Sequence, residues 1–122
     1  MQLIDLSTGR IILARLEIAT TPRQRMRGLL GRTAMAIDEG MYFPQCRMIH
    51  TFFMQMPIDV IFLDHNERIL DLHPELKPWR IAFCRRPGGC HTLELSAGGA
   101  AQHGLAIGAG LIIEPANHPP SA

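Results

Sequence analysis

The residues best suited to chemistry lie mainly in one apolar segment, residues 46–64, whose sequence is CRMIHTFFMQMPIDVIFLD. Among its apolar residues this segment carries the thiol of Cys46, the imidazole of His50 and the carboxylate of Asp59. A buried polar group without a partner costs roughly 1–3 kcal/mol. His50 and Asp59 therefore need partners if they are buried, and both are candidates for a site.

Binding of a soft metal is one chemistry that this segment suggests. In an extended strand Cys46, His50, Met54 and Met56 share one face, and thiolate, imidazole and thioether groups are ligands for Cu(I). Neighbours on one face of a strand are ~7 Å apart, however, so several of them cannot reach one ion with ~2 Å bonds. Methionines on an apolar strand are usually core residues. The sequence therefore predicts no metal and no cofactor.

Catalysis is a second chemistry. Adjacent Cys90 and His91 would point to opposite sides of a strand and form a poor dyad, and no Gly-x-Ser-x-Gly nucleophile motif is present. An acid–base pair of His50 with Asp59 or Glu94 stays open as the enzymatic alternative. We assign no catalytic residue from the sequence and favour a non-enzymatic domain.

Composition indicates an ordinary globular chain of 122 residues with a formal net charge of +1. This charge gives no electrostatic reason to expect a nucleic acid or a membrane as partner. No apolar run approaches the ~18 residues of a membrane span, and the N-terminus does not resemble a signal peptide. The three cysteines are odd in number and lack a paired spacing, so we expect a reduced, cytoplasmic protein.

Most of the elements that must position these residues are predicted to be strands. Both faces of segment 46–64 are largely apolar, which favours a long strand pair covered on two sides. Many short strands with few helices predict a mainly-β single domain, a sandwich or partial barrel, over residues 1–115. Residues 116–122 form a polar, proline-containing tail that we expect to be disordered. The other predicted strands are 3–6, 11–18 (a hairpin with 3–6), 41–43, 68–73, 92–95 and 110–114.

Two short helices are predicted between the strands. Thr21 and Gln24 have the spacing of a capping box at the start of the first helix, and Gly31 is a plausible end. In the second helix Ser96 is the predicted cap, and the helix is expected to run through His103.

Several motifs together resemble a known family. They are RGLLGR at 27–32, Gly40-Met41, IHTFFM at 49–54, PIDVIFLD at 57–64 and LEL at 93–95. In this order they make the chain, from about Thr20 to Glu114, similar to the bacterial and archaeal domain-of-unknown-function family 192. The resemblance implies a single mainly-β domain of sandwich or jelly-roll type, and it implies no mechanism.

The resemblance also directs attention to four polar residues on motif positions: Arg27, His50, Asp59 and Glu94. The chain departs from the family pattern at Gly108-Ala109-Gly110, where the family often has Gly-Asp. Any role of that carboxylate cannot be transferred to this chain.

Our leading hypothesis is a small non-enzymatic binding or accessory domain. In it, Arg27, His50, Asp59 and Glu94 converge at one mouth of the sandwich and hold a small polar or anionic ligand. The same four groups could instead satisfy one another inside the fold, as Arg27–Asp59 and His50–Glu94 pairs.

Two alternatives remain. One is a small hydrolase or isomerase that uses His50 with Asp59 or Glu94 as acid and base. The other is a protein-interaction module that uses the loop 74–90, where Trp79 and nearby arginines have the composition of a binding hot spot. For this loop we expect a solvated connector with one anchored tryptophan.

Overall fold

The computed structural model describes residues 1–116 of the chain. The predicted disordered tail, residues 116–122, lies outside the described residues except for Ala116. The described elements, in chain order, are β1 (Gln2–Asp5), β2 (Ile11–Leu13), β3 (Arg15–Ile18), α1 (Pro22–Arg27), β4 (Glu39–Phe43), β5 (Met48–His50), β6 (Ile58–Leu63), β7 (Ile69–Leu76), β8 (Ile81–Phe83), β9 (His91–Ser96), α2 (Gly99–Gln102) and β10 (Leu111–Glu114).

A five-stranded sheet of order β3-β4-β9-β6-β7 forms the middle of the molecule. Its strands are antiparallel except for the parallel pair β3–β4. All six residues of β6 are buried, and alternate side chains point to opposite faces. Ile58, Val60 and Phe62 belong to one apolar cluster, while Ile61 and Leu63 belong to another. The sheet is therefore covered on both faces.

Each face of this sheet is covered by a smaller sheet. The three-stranded sheet β10-β1-β2 contributes Leu3, Leu13 and Leu111 to the cluster that contains Ile61. The two-stranded sheet β5-β8 contributes Ile49 and Ala82 to the opposite cluster, which also contains Leu29 just after α1. The predicted mainly-β fold with two short helices is confirmed, and the sheets form layers that do not close into a barrel.

The prediction of a long strand pair over 46–64 is wrong in its first half. Only Met48–His50 is a strand there, and it pairs with β8 rather than with the central sheet. Buried Thr51 ends the strand because it bonds to the loop that precedes β8. Its hydroxyl donates to the Lys77 carbonyl (2.7 Å) and accepts from the Arg80 amide (2.9 Å).

The predicted hairpin over 3–18 is correct only in its first part. β1 pairs with β2, but the second arm divides near Ala14, and β3 joins the five-stranded sheet beside β4. The chain thus passes from the three-stranded sheet to the five-stranded sheet within residues 11–18, although the alternation of apolar residues continues through this segment.

The helix ends also differ in part from the prediction. The capping box at Thr21 and Gln24 is confirmed, but α1 ends at Gly28 instead of Gly31, with Gly28 in the left-handed region (φ 45°). The predicted cap of the second helix is wrong, because Gly98 rather than Ser96 precedes α2. Both helices are thus shorter than the sequence pattern suggested.

Candidate functional site

A cavity of about 290 Å³ lies between α1, β5 and the central sheet, where it is lined by side chains of β4 and β9. Most of its lining is apolar. The polar part of the lining comes from Arg25, Arg27, Cys46, His50 and Glu94. The apolar side chains around it are Met26, Leu29, Leu30, Phe43, Met48, Ile49 and Met54.

Glu94 is the unusual residue of this cavity. It lies on β9 between Met41 and Val60 of the neighbouring strands, so its side chain points to the apolar face that the cavity opens onto. The residue is only 5% exposed. No hydrogen bond or ion pair connects its carboxyl group to another described residue. Burial raises the pKa of this carboxyl from 4.5 to about 8, so it is largely protonated at neutral pH.

His50 also lines the cavity, from the exposed end of β5. Its Nδ1 atom is 3.2 Å from the backbone amide of Phe52, which donates to it, and its ring stacks on the Phe52 ring at 4.9 Å. Because Nδ1 accepts, Nε2 carries the proton in the neutral ring. The imidazole therefore offers an N–H donor, held in one orientation.

Two arginines of α1 complete the polar lining. The guanidinium of Arg25 donates to the Gln45 carbonyl (3.2 Å) and so joins α1 to the chain before β5. Arg27 is exposed and forms no ion pair within the described residues. None of the six residues of α1 is buried. The helix therefore lies on the surface of the molecule, at the edge of the cavity.

Asp59 has a different role from the other three predicted site residues. It is 1% exposed and does not line the cavity. Its carboxylate accepts three backbone N–H groups, from Glu75 (2.8 Å), Gly98 (3.0 Å) and Ala100 (2.9 Å). It thereby joins β6 to the end of β7 and to the start of α2.

The structure thus brings Arg27, His50 and Glu94 to one cavity and places Asp59 elsewhere. The pairing of Arg27 with Asp59 and of His50 with Glu94, which the sequence left open, does not occur as ion pairs in residues 1–116. Glu94 is consequently a buried carboxyl with cavity space beside it and no partner in the part of the chain that the structure describes.

Sequence reasoning did not select Arg25, Cys46 and Met48 as parts of a small-molecule site. From the sequence, Cys46 is weighed as a metal ligand, and the methionines are expected to be core residues. The signal that would have found Arg25 is its position two residues before Arg27, beside the apolar stripe of the predicted helix. No group of three or more His, Cys, Asp and Glu side chains within the described residues is arranged to hold a metal ion.

A second cavity, of about 390 Å³, lies beside β3 and β4 and is larger. Its lining contains none of the four predicted site residues. Its main charged groups already satisfy one another, because Glu39 pairs with Arg32 (2.8 Å) and with Arg15 (3.5 Å). We therefore assign the candidate site to the cavity that contains Glu94.

Trp79 is held by local contacts and not by burial. The residue is 55% exposed, its ring packs against exposed Phe53 with 4.6 Å between ring centroids, and its backbone amide donates to the Thr51 carbonyl (3.0 Å). The loop predicted over 74–90 is also partly strand, because it contains the end of β7 and all of β8.

Comparison with known proteins agrees with the mainly-β fold and with the family that the sequence resembles. The profile of the family DUF192, described as "Uncharacterized ACR", matches residues 5–113. The chain belongs to this family, whose function is unknown.

Curated relatives carry a similarly general description. A UPF0127 protein of Thermococcus sibiricus is 33% identical over 100 residues, which are 79% of this chain and 64% of that protein. The chain thus spans less than two thirds of the length of this relative. A UPF0127 protein of Pyrococcus horikoshii is 64% identical over 33 residues, about a quarter of either chain (27% and 28%).

Two solved structures share the fold. One, from Sinorhizobium meliloti 1021 and assigned provisionally as a transcription regulator, has a TM-score of 0.77 and 32% identity, over 91% of this chain and 89% of that one. The other, a protein of unknown function from Novosphingobium aromaticivorans, has a TM-score of 0.77 and 24% identity, over 92% and 82% of the two chains. Within residues 1–116, no helix is long and apolar enough to cross a membrane.

Proposed function

We propose that this chain is a small binding domain and that its ligand occupies the cavity lined by Arg27, His50 and Glu94. The observation that carries the proposal is the buried Glu94 carboxyl, which faces the cavity and has no hydrogen-bond or ion-pair partner among residues 1–116. Leaving such a group unpaired costs roughly 1–3 kcal/mol. A ligand that hydrogen-bonds to this carboxyl would offset that cost.

The lining indicates the chemistry of the ligand. Arg25 and Arg27 favour an anionic group at the side of the cavity formed by α1. The methionine, leucine and phenylalanine side chains favour an apolar body. Protonated Glu94 favours a hydroxyl or carbonyl group at the other end of that body, since a carboxylic acid both donates and accepts. The volume of about 290 Å³ is at the lower limit of ligand cavities, which favours a small molecule.

An enzyme remains the second candidate, because Glu94 and His50 line the same cavity and Glu94 has the raised pKa of many general acids. A hydrolase or isomerase would use these two groups without Asp59, whose oxygens are occupied by backbone amides. Turnover of a bound ligand that is lost in Glu94→Gln, while the ligand still binds, would favour this candidate over a binding domain.

A DNA-binding role, as the description of the Sinorhizobium meliloti protein suggests, has less support in this chain. The helices described here have six and four residues, and the formal net charge is only +1. Both are poor features for reading a DNA groove.

The three free thiols are in keeping with a reducing compartment, and we propose the cytoplasm as the location.

A thermal-shift series tests the proposed ligand class. The probes are straight-chain monocarboxylates of four to eight carbons, each compared with its ω-hydroxy and ω-oxo derivatives. A probe at 100 times its dissociation constant stabilises the native state by about 2.7 kcal/mol, which raises the melting temperature by roughly 10 °C. We expect the ω-hydroxy or ω-oxo derivative to give the larger shift.

Three variants connect the shift to the cavity. Arg27→Ala should reduce the shift for every probe, whereas Arg23→Ala, on the same helix but outside the lining, should not. Glu94→Leu should abolish the difference between a monocarboxylate and its ω-hydroxy derivative. If no probe raises the melting temperature, or if Arg23→Ala and Arg27→Ala have equal effects, the proposal is wrong.

A further inference from the structure

A second functional feature lies on the outer face of the β5-β8 sheet. Alternation places Ile49 and Ala82 toward the core and leaves their neighbours on the outside. Three of these outward side chains are large and apolar: Met48 is 62% exposed, Ile81 57% and Phe83 59%. Met48 and Phe83 are direct cross-strand partners, so their side chains lie side by side.

This apolar surface continues at one end into a group of aromatic rings. Phe53 is 69% exposed and contacts Trp79, and Phe52 stacks on His50 and lies 5.9 Å from Trp79. We call the surface formed by Met48, Phe53, Trp79, Ile81 and Phe83 the aromatic face. Scattered exposed apolar residues are normal, but a contiguous group of this kind marks an interaction site.

The backbone under the aromatic face is strained in a way that favours function over chance exposure. Phe53 and Trp79 both have left-handed backbone conformations, with φ of 65° and 64°. Such conformations cost of order 1–3 kcal/mol for a non-glycine residue, and they persist only where the surroundings impose them. Here Thr51 imposes them. Its carbonyl accepts from the Trp79 amide (3.0 Å), and its own amide donates to the Arg80 carbonyl (2.8 Å).

The two chain segments that form the aromatic face carry charge of one sign. Segments 45–54 and 77–86 contain five cationic residues, Arg47, Lys77, Arg80, Arg85 and Arg86, and no aspartate or glutamate. Only Arg85 of these forms an ion pair within the described residues, with Asp71 at 2.7 Å. A partner of this face is therefore expected to be acidic as well as apolar.

We propose that the aromatic face docks an acidic, apolar segment of another protein. A second copy of this chain is disfavoured because a symmetric contact would bring Arg47 and Arg80 against their own copies. A lipid bilayer is disfavoured as the partner because the rings pack on one another and, through Phe52, on His50 of β5. The aromatic face is therefore a preordered surface, whereas insertion into a bilayer needs side chains that are free to move. Tryptophan, phenylalanine, methionine and arginine are also the residues enriched at protein interfaces.

The aromatic face shares Met48 with the lining of the ligand cavity, but Phe53, Arg80 and Ile81 lie outside that lining, so the two proposals can be tested separately. The probe is a displayed library of random twelve-residue peptides, selected on the wild-type protein and counter-selected on the double variant Phe53→Ser/Ile81→Ser. We expect enriched peptides that combine Asp or Glu with apolar residues. Because Trp79 is the only tryptophan of the chain, its emission should shift to shorter wavelength when an enriched peptide binds.

Single variants separate the contributions to binding. Phe53→Ser should weaken binding of an enriched peptide at least 10-fold, and Arg80→Glu should weaken it and reverse its preference for acidic peptides. Ile107→Ser, at a residue 51% exposed elsewhere on the surface, should bind like wild type. Unchanged melting temperatures would show that these variants are folded. Absence of enrichment, equal selection by the double variant, or binding only to phosphatidylserine vesicles would overturn the proposal.

Discussion

The stability of this protein should depend on pH through Glu94, and Glu94→Gln should remove that dependence. The folded protein keeps the Glu94 carboxyl protonated up to a pKa of about 8, whereas the unfolded chain ionises it near 4.5. Between these two values the folded state binds the additional proton. The free energy of unfolding therefore falls as pH rises from about 4.5 to 8. Below and above that range, the contribution of Glu94 does not change with pH.

The size of the effect follows from the shift in pKa. A change from 4.5 to about 8, at 1.36 kcal/mol for each unit, corresponds to about 5 kcal/mol over the whole range. Glutamine has the shape of the protonated acid and does not ionise. We therefore expect Glu94→Gln to match wild type near pH 5 and to be more stable by several kcal/mol at pH 8.

Urea unfolding at pH 5, 6, 7 and 8 measures this difference directly. Glu17→Gln, at an exposed position of β3, is the matched control and should leave the pH dependence of wild type unchanged. If the free energies of unfolding of wild type and Glu94→Gln run parallel across this pH range, Glu94 is not held in its neutral form and our view of the cavity is incorrect.

Three other predictions concern residues that hold the fold around the site. Asp71→Asn should destabilise the protein by about 2 kcal/mol at pH 7, because it breaks the pair with partly exposed Arg85. Arg85 lowers the pKa of Asp71 far below the usual aspartate value of about 4, so wild type should lose this contribution only gradually as pH falls below that value. In urea unfolding the difference between the two proteins should therefore narrow between pH 7 and pH 3 without vanishing. Asp59→Asn should cost about 2–3 kcal/mol in the same assay, because an amide cannot accept all three backbone N–H groups, yet it should leave the thermal shift by cavity probes intact. Loss of the probe shift in that variant would show that Asp59 contributes to the site. Thr51→Val removes the hydroxyl bonds to the 77–80 loop, so it should lower the free energy of unfolding by about 1–3 kcal/mol and shift the fluorescence emission of Trp79. Unchanged emission would contradict the role we give to Thr51.

Local signals in the sequence predicted local structure well. The capping box at Thr21 depends on residues three apart, and the buried strand β6 depends on a continuous apolar run, so both could be recognised directly. The apolar setting of Glu94 also identified it as a polar residue in need of a partner. These features require no knowledge of which distant segments meet.

The sequence-based predictions failed where contacts between distant segments decide the end of a strand, the partners of a side chain or the sheet that a strand joins. Thr51 ends β5 through bonds to residues 26 and 29 positions away, and no pattern near Thr51 indicates them. The partners of Asp59 are backbone amides 16, 39 and 41 positions away, which any residue except proline could supply. The change of sheet near Ala14 likewise occurs inside an alternating run that suits either sheet. Sequence alone therefore suggested four converging residues, of which the fold brings three together.

The most direct test of the cavity as a ligand site is ¹³C NMR of the glutamate carboxyl groups, recorded first as a function of pH and then at pH 7 during titration with 6-hydroxyhexanoate. We predict that one resonance, absent in Glu94→Gln, has a pKa of about 8 and shifts progressively as the probe is added, while the other glutamates remain unchanged. A Glu94 resonance that titrates near 4.5, or one that does not respond at saturating probe, would contradict the proposal that this buried carboxyl receives a ligand.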